Sequence, residues 1–184
     1  MYINELLKWS ASINLVHEKS KDDIIQRHIL DSLQLINYID KDNDRIVDIG
    51  SGAGLPGMIL AIEGASFVKL IEPTQKKTVF LNHIKNLYSL NVIILNNTWE
   101  KINECDSNVV VSRAFSSLSN LLEAMLYVSR ETNSPKGIFL KGEKLEIEIL
   151  EAKKNWNFSY EIHQSITHEK GKVIKVWDVE KSDS

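Results

Sequence analysis

The apolar positions of this chain change their period near residue 45. Ahead of it, residues 2–9 are helix-compatible, and SKDDIIQRHILDSLQLINYI (20–39) sets Ile25, Ile29, Leu33 and Ile36 on one helical stripe. Ser20 and Asp23 open that stretch at the spacing of a capping box, where side chains answer the first unpaired backbone N–H groups. From Arg45 onward, short β-branched runs alternate with amphipathic ones. RIVDI (45–49) is followed by a helix over 55–63, then FVKLIE (67–72), then a helix capped by Thr74 with Phe80, Ile84 and Leu87 on one face. NVIILN (91–96), NVVVSRA (108–114), a helix over 118–131, GIFLKG (137–142) and a charged helix over 143–154 continue the alternation. Two extended pieces, 158–164 and 172–179, flank the polar loop THEKG (167–171). Strands alternating with helices of this length predict βαβ units. The expected architecture is α/β: a doubly wound, mostly parallel sheet over 45–179 with a helical N-terminal cap over 1–40, closed by an antiparallel hairpin, all in one domain spanning 1–184.

Composition narrows what this fold can serve. With 184 residues, 43% of them hydrophobic, the chain has material for one core and too little for two. A net charge of −3 means that a nucleic acid must be met by a local patch rather than by a basic surface as a whole. The lone Cys105, in NECDS, has neither a disulfide partner nor metal-ligand spacing, which suits a reducing compartment. No stretch approaches the roughly 20 apolar residues of a membrane span, and MYINELLKWS lacks the basic-then-apolar order of a signal peptide. The expectation is a cytoplasmic, monomeric protein with no membrane partner, its EKSDS end (180–184) a frayed tail.

The chemistry concentrates in VDIGSGAGLPG (47–57), where four glycines and a proline follow an acid-bearing strand. Gly50, Gly52 and Gly54 can take positive φ and admit a ligand close to the backbone, while Pro56 suits a first helical turn. The spacing from Gly52 to Gly57 also satisfies the dinucleotide pattern G-x-G-x-x-G. Asp48 argues against a pyrophosphate, because a carboxylate beside two phosphate charges is repulsive in a desolvated cleft. A cationic nucleoside such as S-adenosyl-L-methionine reverses the sign. Glu72, ending the second strand, stands where a ribose-binding acid is expected, and Glu100, after the third, can accept from an adenine amino group. Strand-end acids also cap helices, and that bland role is open to both Asp48 and Glu72.

Six blocks together, RHILDS (27–32), DIGSGAGLPG (48–57), EPTQKKTVFL (72–81), WEK (99–101), SRAF (112–115) and LKGE (140–143), resemble the ribosomal RNA small subunit methyltransferase G family, also called glucose-inhibited division protein B. The resemblance implies a class I methyltransferase-like fold that uses S-adenosyl-L-methionine to methylate N7 of one guanine in 16S ribosomal RNA. It also implies cofactor contacts at Gly50, Leu55, Trp99, Glu100 and Arg113.

The residues agree with that chemistry. SRAF lacks the Asn/Asp-Pro-Pro-aromatic signature common among enzymes that methylate exocyclic amines, and nothing near Cys105 would activate it for attack on a base carbon. Guanine N7 carries an in-plane lone pair and no proton, so transfer requires no general base and no catalytic acid–base residue is expected. Arg113 is expected to grip the cofactor carboxylate or, second, the guanine O6 edge. Lys141 is a candidate phosphate or substrate contact. Arg27 and His28 on the front helix are candidate RNA contacts; the plain alternatives are an Arg27–Asp31 surface pair and a packed histidine. Lys76 and Lys77, cations in a helix's first turn, are read as phosphate-binding. A nicotinamide-dependent oxidoreductase and a non-catalytic RNA-binding module on the same fold are the alternatives.

Overall fold

A computed structural model of the chain describes residues 1–16, 20–103, 105–113 and 116–182. Among these residues the strands are β1 (Arg45–Ile49), β2 (Phe67–Ile71), β3 (Val92–Leu95), β4 (Val109–Arg113), β5 (Lys136–Lys141), β6 (Trp156–Gln164) and β7 (Lys172–Lys181). They form one seven-stranded sheet in the order β3-β2-β1-β4-β5-β7-β6. All pairings from β3 to β5 are parallel, and β7 runs antiparallel to both β5 and β6, as the hairpin expectation required.

Alternation along each strand divides the core between the two faces of the sheet. Ile46, Val68, Leu70, Val109 and Val111 pack with α4 (Gly57–Ile62) and α5 (Gln75–Leu87), and Val47, Ile49, Val110 and Phe139 pack with α6 (Leu118–Val128) and α7 (Leu145–Ala152). The chain travels outward from β1 to β3, then crosses to β4 on the other side of β1. That reversal opens a crevice at the carboxyl ends of β1 and β4, where such sheets bind ligands. In register Asp48 stands beside Val111, so Gly50 and Arg113 leave the sheet side by side.

The cap is less regular than its sequence pattern. α1 (Tyr2–Ser10) lies over the glycine turn: the Tyr2 hydroxyl donates to the Ala53 carbonyl at 2.5 Å, and Trp9 meets Phe80 of α5 edge-on at 5.7 Å. The second cap element is α2 (Lys21–Ile24), a π-helical stretch Ile25–Leu30, a single turn α3 (Asp31–Leu33) and a 3-10 turn Gln34–Tyr38. Its buried positions are Ile24, His28, Ser32, Gln34 and Leu35, not the expected stripe, of which Ile29, Leu33 and Ile36 lie at the edge of the core. The four-residue steps from 24 to 32 fit the wider π turn, which rotates the inward face away from a 3.6-residue stripe. Ser20 caps α2 by accepting from Asp23 N at 3.1 Å, but the Asp23 carboxylate takes the Ser20 hydroxyl instead of reaching back to the backbone.

Other boundaries moved slightly. α4 begins at Gly57, leaving Pro56 at the N-cap, and Leu87 is exposed where α5 ends. β7 runs through Lys181, so Glu180 and Lys181 belong to the ladder with Asn157 and Trp156 rather than to a tail. Ala114 and Phe115 of SRAF, and the last two residues of EKSDS, lie outside the described residues. Among the described residues no helix is long and apolar enough to cross a membrane.

Candidate cofactor and acceptor site

The turn after β1 is shaped by its own backbone. Gly50, Gly52 and Gly54 adopt φ of 70°, 58° and 92°, the left-handed region the sequence anticipated. Ile71 O accepts from Gly50 N and Ser51 N at 3.0 and 3.1 Å, which ties the turn to the end of β2. At Gly52 an added Cβ would have only Gly50 O, at 3.9 Å, within reach, so the turn presents open backbone. Gly57 is the opposite case: a Cβ there would fall 2.5 Å from Leu70 Cδ2 and 2.8 Å from Asp48 Cβ. Leu55 is buried, so a bound ligand would meet its backbone and not its side chain.

Both strand-end acids are engaged by backbone N–H groups. Asp48 Oδ2 accepts from Gly57 N at 2.8 Å, and Glu72 accepts from Gly52 N at Oε2 and Thr74 N at Oε1, each at 2.8 Å. Asp48 therefore caps the first residue of α4, whereas Glu72 ties Gly52 to Thr74 just ahead of α5, where the Thr74 hydroxyl makes no cap bond. Asp48 is fully buried, and burial pushes its carboxyl up to about 7; the Gly57 N–H and the Arg113 charge pull it down, and Glu72 adds to the rise. Among the described residues its Oδ1 has no hydrogen-bond partner. Beside the turn lies a slot of about 90 Å³ lined by Ile49, Gly50, Ile71, Pro73, Trp99 and Glu100. Trp99 meets Tyr127 edge-on at 5.5 Å, and the Tyr127 hydroxyl donates to Glu100 O at 2.7 Å, fixing the short turn that carries both. The Glu100 side chain is exposed.

A second cavity, of about 590 Å³, opens between the cap, the ends of β4 and β5, and the β6–β7 loop. Arg27, His28, Arg113 and Lys141 all line it. Arg113 Nη1 donates to Arg27 O at 3.2 Å and lies 2.6 Å from His28 Nδ1. A guanidinium only donates, so in this contact His28 Nδ1 is the acceptor. Arg113 thus joins the cap residues instead of the slot by Gly50. Lys141 Nζ lies 2.5 Å from Glu148 and donates to Ser116 O at 2.8 Å. Its side chain is only 7% exposed, so a phosphate contact by Lys141 would have to displace Glu148.

Asp31 also departs from expectation. Its Oδ1 accepts from Gln34 Nε2 and Thr167 Oγ1, both at 2.8 Å, so the residue read as half of a surface pair ties the cap to the β6–β7 loop. Thr167 and His168 line the same cavity. The polar THEKG loop was the only sequence signal for them, and spacing along the chain does not say which cleft a loop covers. Lys76 is exposed and Lys77 half-buried at the start of α5, outside both cavities.

The GidB family model, described as rRNA small subunit methyltransferase G, matches residues 1–176. This chain belongs to that family. A Rickettsia rickettsii (strain Sheila Smith) protein named ribosomal RNA small subunit methyltransferase G is 46% identical over 175 residues, covering 95% of this chain and 89% of the relative. A Rickettsia prowazekii (strain Madrid E) protein of the same name is 40% identical over 176 residues, covering 96% and 90%. Two solved structures share the fold at low identity. Magnesium protoporphyrin IX methyltransferase from Synechocystis PCC 6803, with bound SAM, superposes with a TM-score of 0.64 at 11% identity, covering 96% of this chain and 97% of that one. A SAM-dependent methyltransferase from Aquifex aeolicus gives 0.62 at 13% identity, covering 85% and 92%.

Family membership makes the chain an S-adenosylmethionine-dependent rRNA methyltransferase with the class I fold; the oxidoreductase and non-catalytic readings gain no support. The residues present fit the cofactor. Asp48 offers a buried carboxylate with an unused oxygen, Gly52 an open backbone, and the Trp99–Glu100 slot an apolar wall with an acceptor at its rim.

Proposed function

We propose that this methyltransferase modifies N7 of a guanine in 16S ribosomal RNA of the small subunit, acting as a cytoplasmic monomer. The observation that carries this reading is the convergence of Arg27, His28 and Arg113 on a cavity of about 590 Å³, next to the strand end that bears the glycine turn. RNA bases are recognised unstacked, in pockets of this kind.

S-adenosylmethionine, when bound, supplies an electrophilic methyl group on a positively charged sulfur. Asp48 lends a negative potential from beneath the turn, Gly50 and Gly52 admit the nucleoside to the backbone, Trp99 walls the slot, and Glu100 accepts from an adenine amino group. Glu72 holds the turn open through Gly52 N, with acceptor positions left on its carboxylate for a ribose hydroxyl. Arg113, braced by Arg27 O and His28, places its positive charge beside the O6 edge of the guanine. No residue has to remove a proton from N7, so the residues act by alignment. Cys105 is buried and its thiol is pushed up by burial, which suits a packing role and not a nucleophile.

The test is to incubate small subunits lacking the modification with labelled methyl donor and to identify the labelled nucleoside. Label in 7-methylguanine of 16S RNA supports the reading; label in another base, or none despite cofactor binding, overturns it.

A further inference from the structure

We propose that Asp31 reads the Watson–Crick edge of the acceptor guanine. The inference rests on the guanine-N7 assignment above and adds a specificity-determining residue to it.

Asp31 opens α3, directly after the π-helical stretch, and lines the larger cavity with Arg113 and His28. Three donors converge on a single oxygen: Gln34 Nε2 and Thr167 Oγ1 at 2.8 Å, and Ser165 Oγ at 3.4 Å. Gln34 also donates to the Asp31 carbonyl at 3.0 Å, so the carboxylate is oriented from the 3-10 turn that follows α3 and from a loop more than 130 positions away. Among the described residues nothing donates to the second oxygen, Oδ2. The neighbouring ammonium of Lys141 is engaged by Glu148. The result is an aimed carboxylate at the wall of a cavity large enough for a nucleoside, with one acceptor atom uncommitted among the described residues.

An ionised carboxylate only accepts. Guanine alone among the RNA bases carries two adjacent N–H donors, N1–H and the N2 amino group, on one edge; the corresponding edges of adenine, cytosine and uracil bring lone pairs against an acceptor. That edge lies across the purine from N7. A reader of it belongs on the wall away from the glycine turn, and the β6–β7 loop that holds the Asp31 carboxylate stands there, beyond β4 and β5 in the strand order. One ionic hydrogen bond of this type corresponds to roughly a 10- to 100-fold preference.

The experiment compares small subunits rebuilt with guanosine or inosine at the acceptor position; inosine keeps N7, O6 and N1–H and lacks the N2 amino group. The wild-type chain is expected to methylate inosine with kcat/KM lower by about tenfold or more. Asp31→Ala and Asp31→Asn should both be slower on guanosine and lose the inosine penalty to within about twofold, with cofactor affinity unchanged. Asp31→Asn keeps the side-chain shape and the acceptor for Thr167, so it covers the case in which the alanine variant fails to fold. The proposal is overturned if wild-type chain treats both bases alike, or if the penalty persists in the variants. Failure of the wild-type chain to methylate guanosine at all would instead sink the N7 assignment, and this inference with it.

Discussion

At the glycine turn, the acids bind backbone: Asp48 takes Gly57 N and Glu72 takes Gly52 N, over 9 and 20 positions. Across the crevice, side chains hold side chains, and Asp31 and Gln34 reach Ser165 and Thr167 over 131 to 136 positions. In the function proposed above, the two regions serve one reaction with different mechanical logics. A backbone-tied turn presents the same shape whatever its outer side chains are, which suits an invariant cofactor. A wall of interlocked side chains can be retuned one residue at a time without moving the sheet, which suits discrimination between bases.

Four measurements break or sharpen that contrast, the most severe first. Gly57→Ala forces a Cβ into Leu70 and Asp48 and should destabilise the chain by about 3 kcal/mol or more while abolishing cofactor binding; a Tm near the wild-type value would show that the turn yields where rigidity is claimed. Next come paired losses of about 100-fold on opposite sides. Glu72→Ala strands two N–H groups and should weaken S-adenosylmethionine binding by that factor, whereas Arg113→Ala should cost it in methyl transfer and leave cofactor affinity within about threefold. Calorimetry that finds Arg113→Ala unable to bind cofactor would move this arginine to the cofactor side.

The third measurement concerns pH. The Asp48 carboxyl is pushed up to about 7 in the folded chain, against an unfolded value near 3.8, so the folded state retains a proton that the unfolded state has lost between those values. Unliganded stability should therefore fall as pH rises from about 4 to about 7, by something on the order of a few kcal/mol, and Asp48→Asn should flatten the slope. A cationic ligand favours the ionised acid, so cofactor affinity should rise about tenfold from pH 6 to 8, with proton release on binding. Affinity independent of pH in wild-type protein would remove Asp48 from the electrostatics of the site. The smallest effect is reserved for a place outside both regions. Lys76→Gln with Lys77→Gln should raise KM for subunits about two- to fivefold and reduce its salt dependence, leaving cofactor affinity untouched; unchanged salt dependence would mean that these lysines are only solvated.

How much of this was legible beforehand follows the same division. β1 was readable to the residue, and the positive-φ glycines were readable because local sterics leave few alternatives after such a strand. The helical cap was recognised as a helix but with the wrong inward face, because a π turn answers to packing against the core and not to a 3.6-residue period. Arg27, His28, Arg113 and Lys141 were picked out individually, yet the bonding of Lys141 to Glu148 and of Asp31 to Thr167 was invisible.

By itself the sequence determined the strand–helix alternation, the bare turn behind an acid and the family to which these blocks belong, since each is written in contiguous residues whose backbone preferences act over a few positions. Only the tertiary structure decided which distant residues share a cavity, which charges are already answered, and which oxygen of the Asp31 carboxylate is engaged. Those outcomes depend on strand order and on the crossing from β3 to β4, which bring segments more than a hundred positions apart within a hydrogen bond of each other.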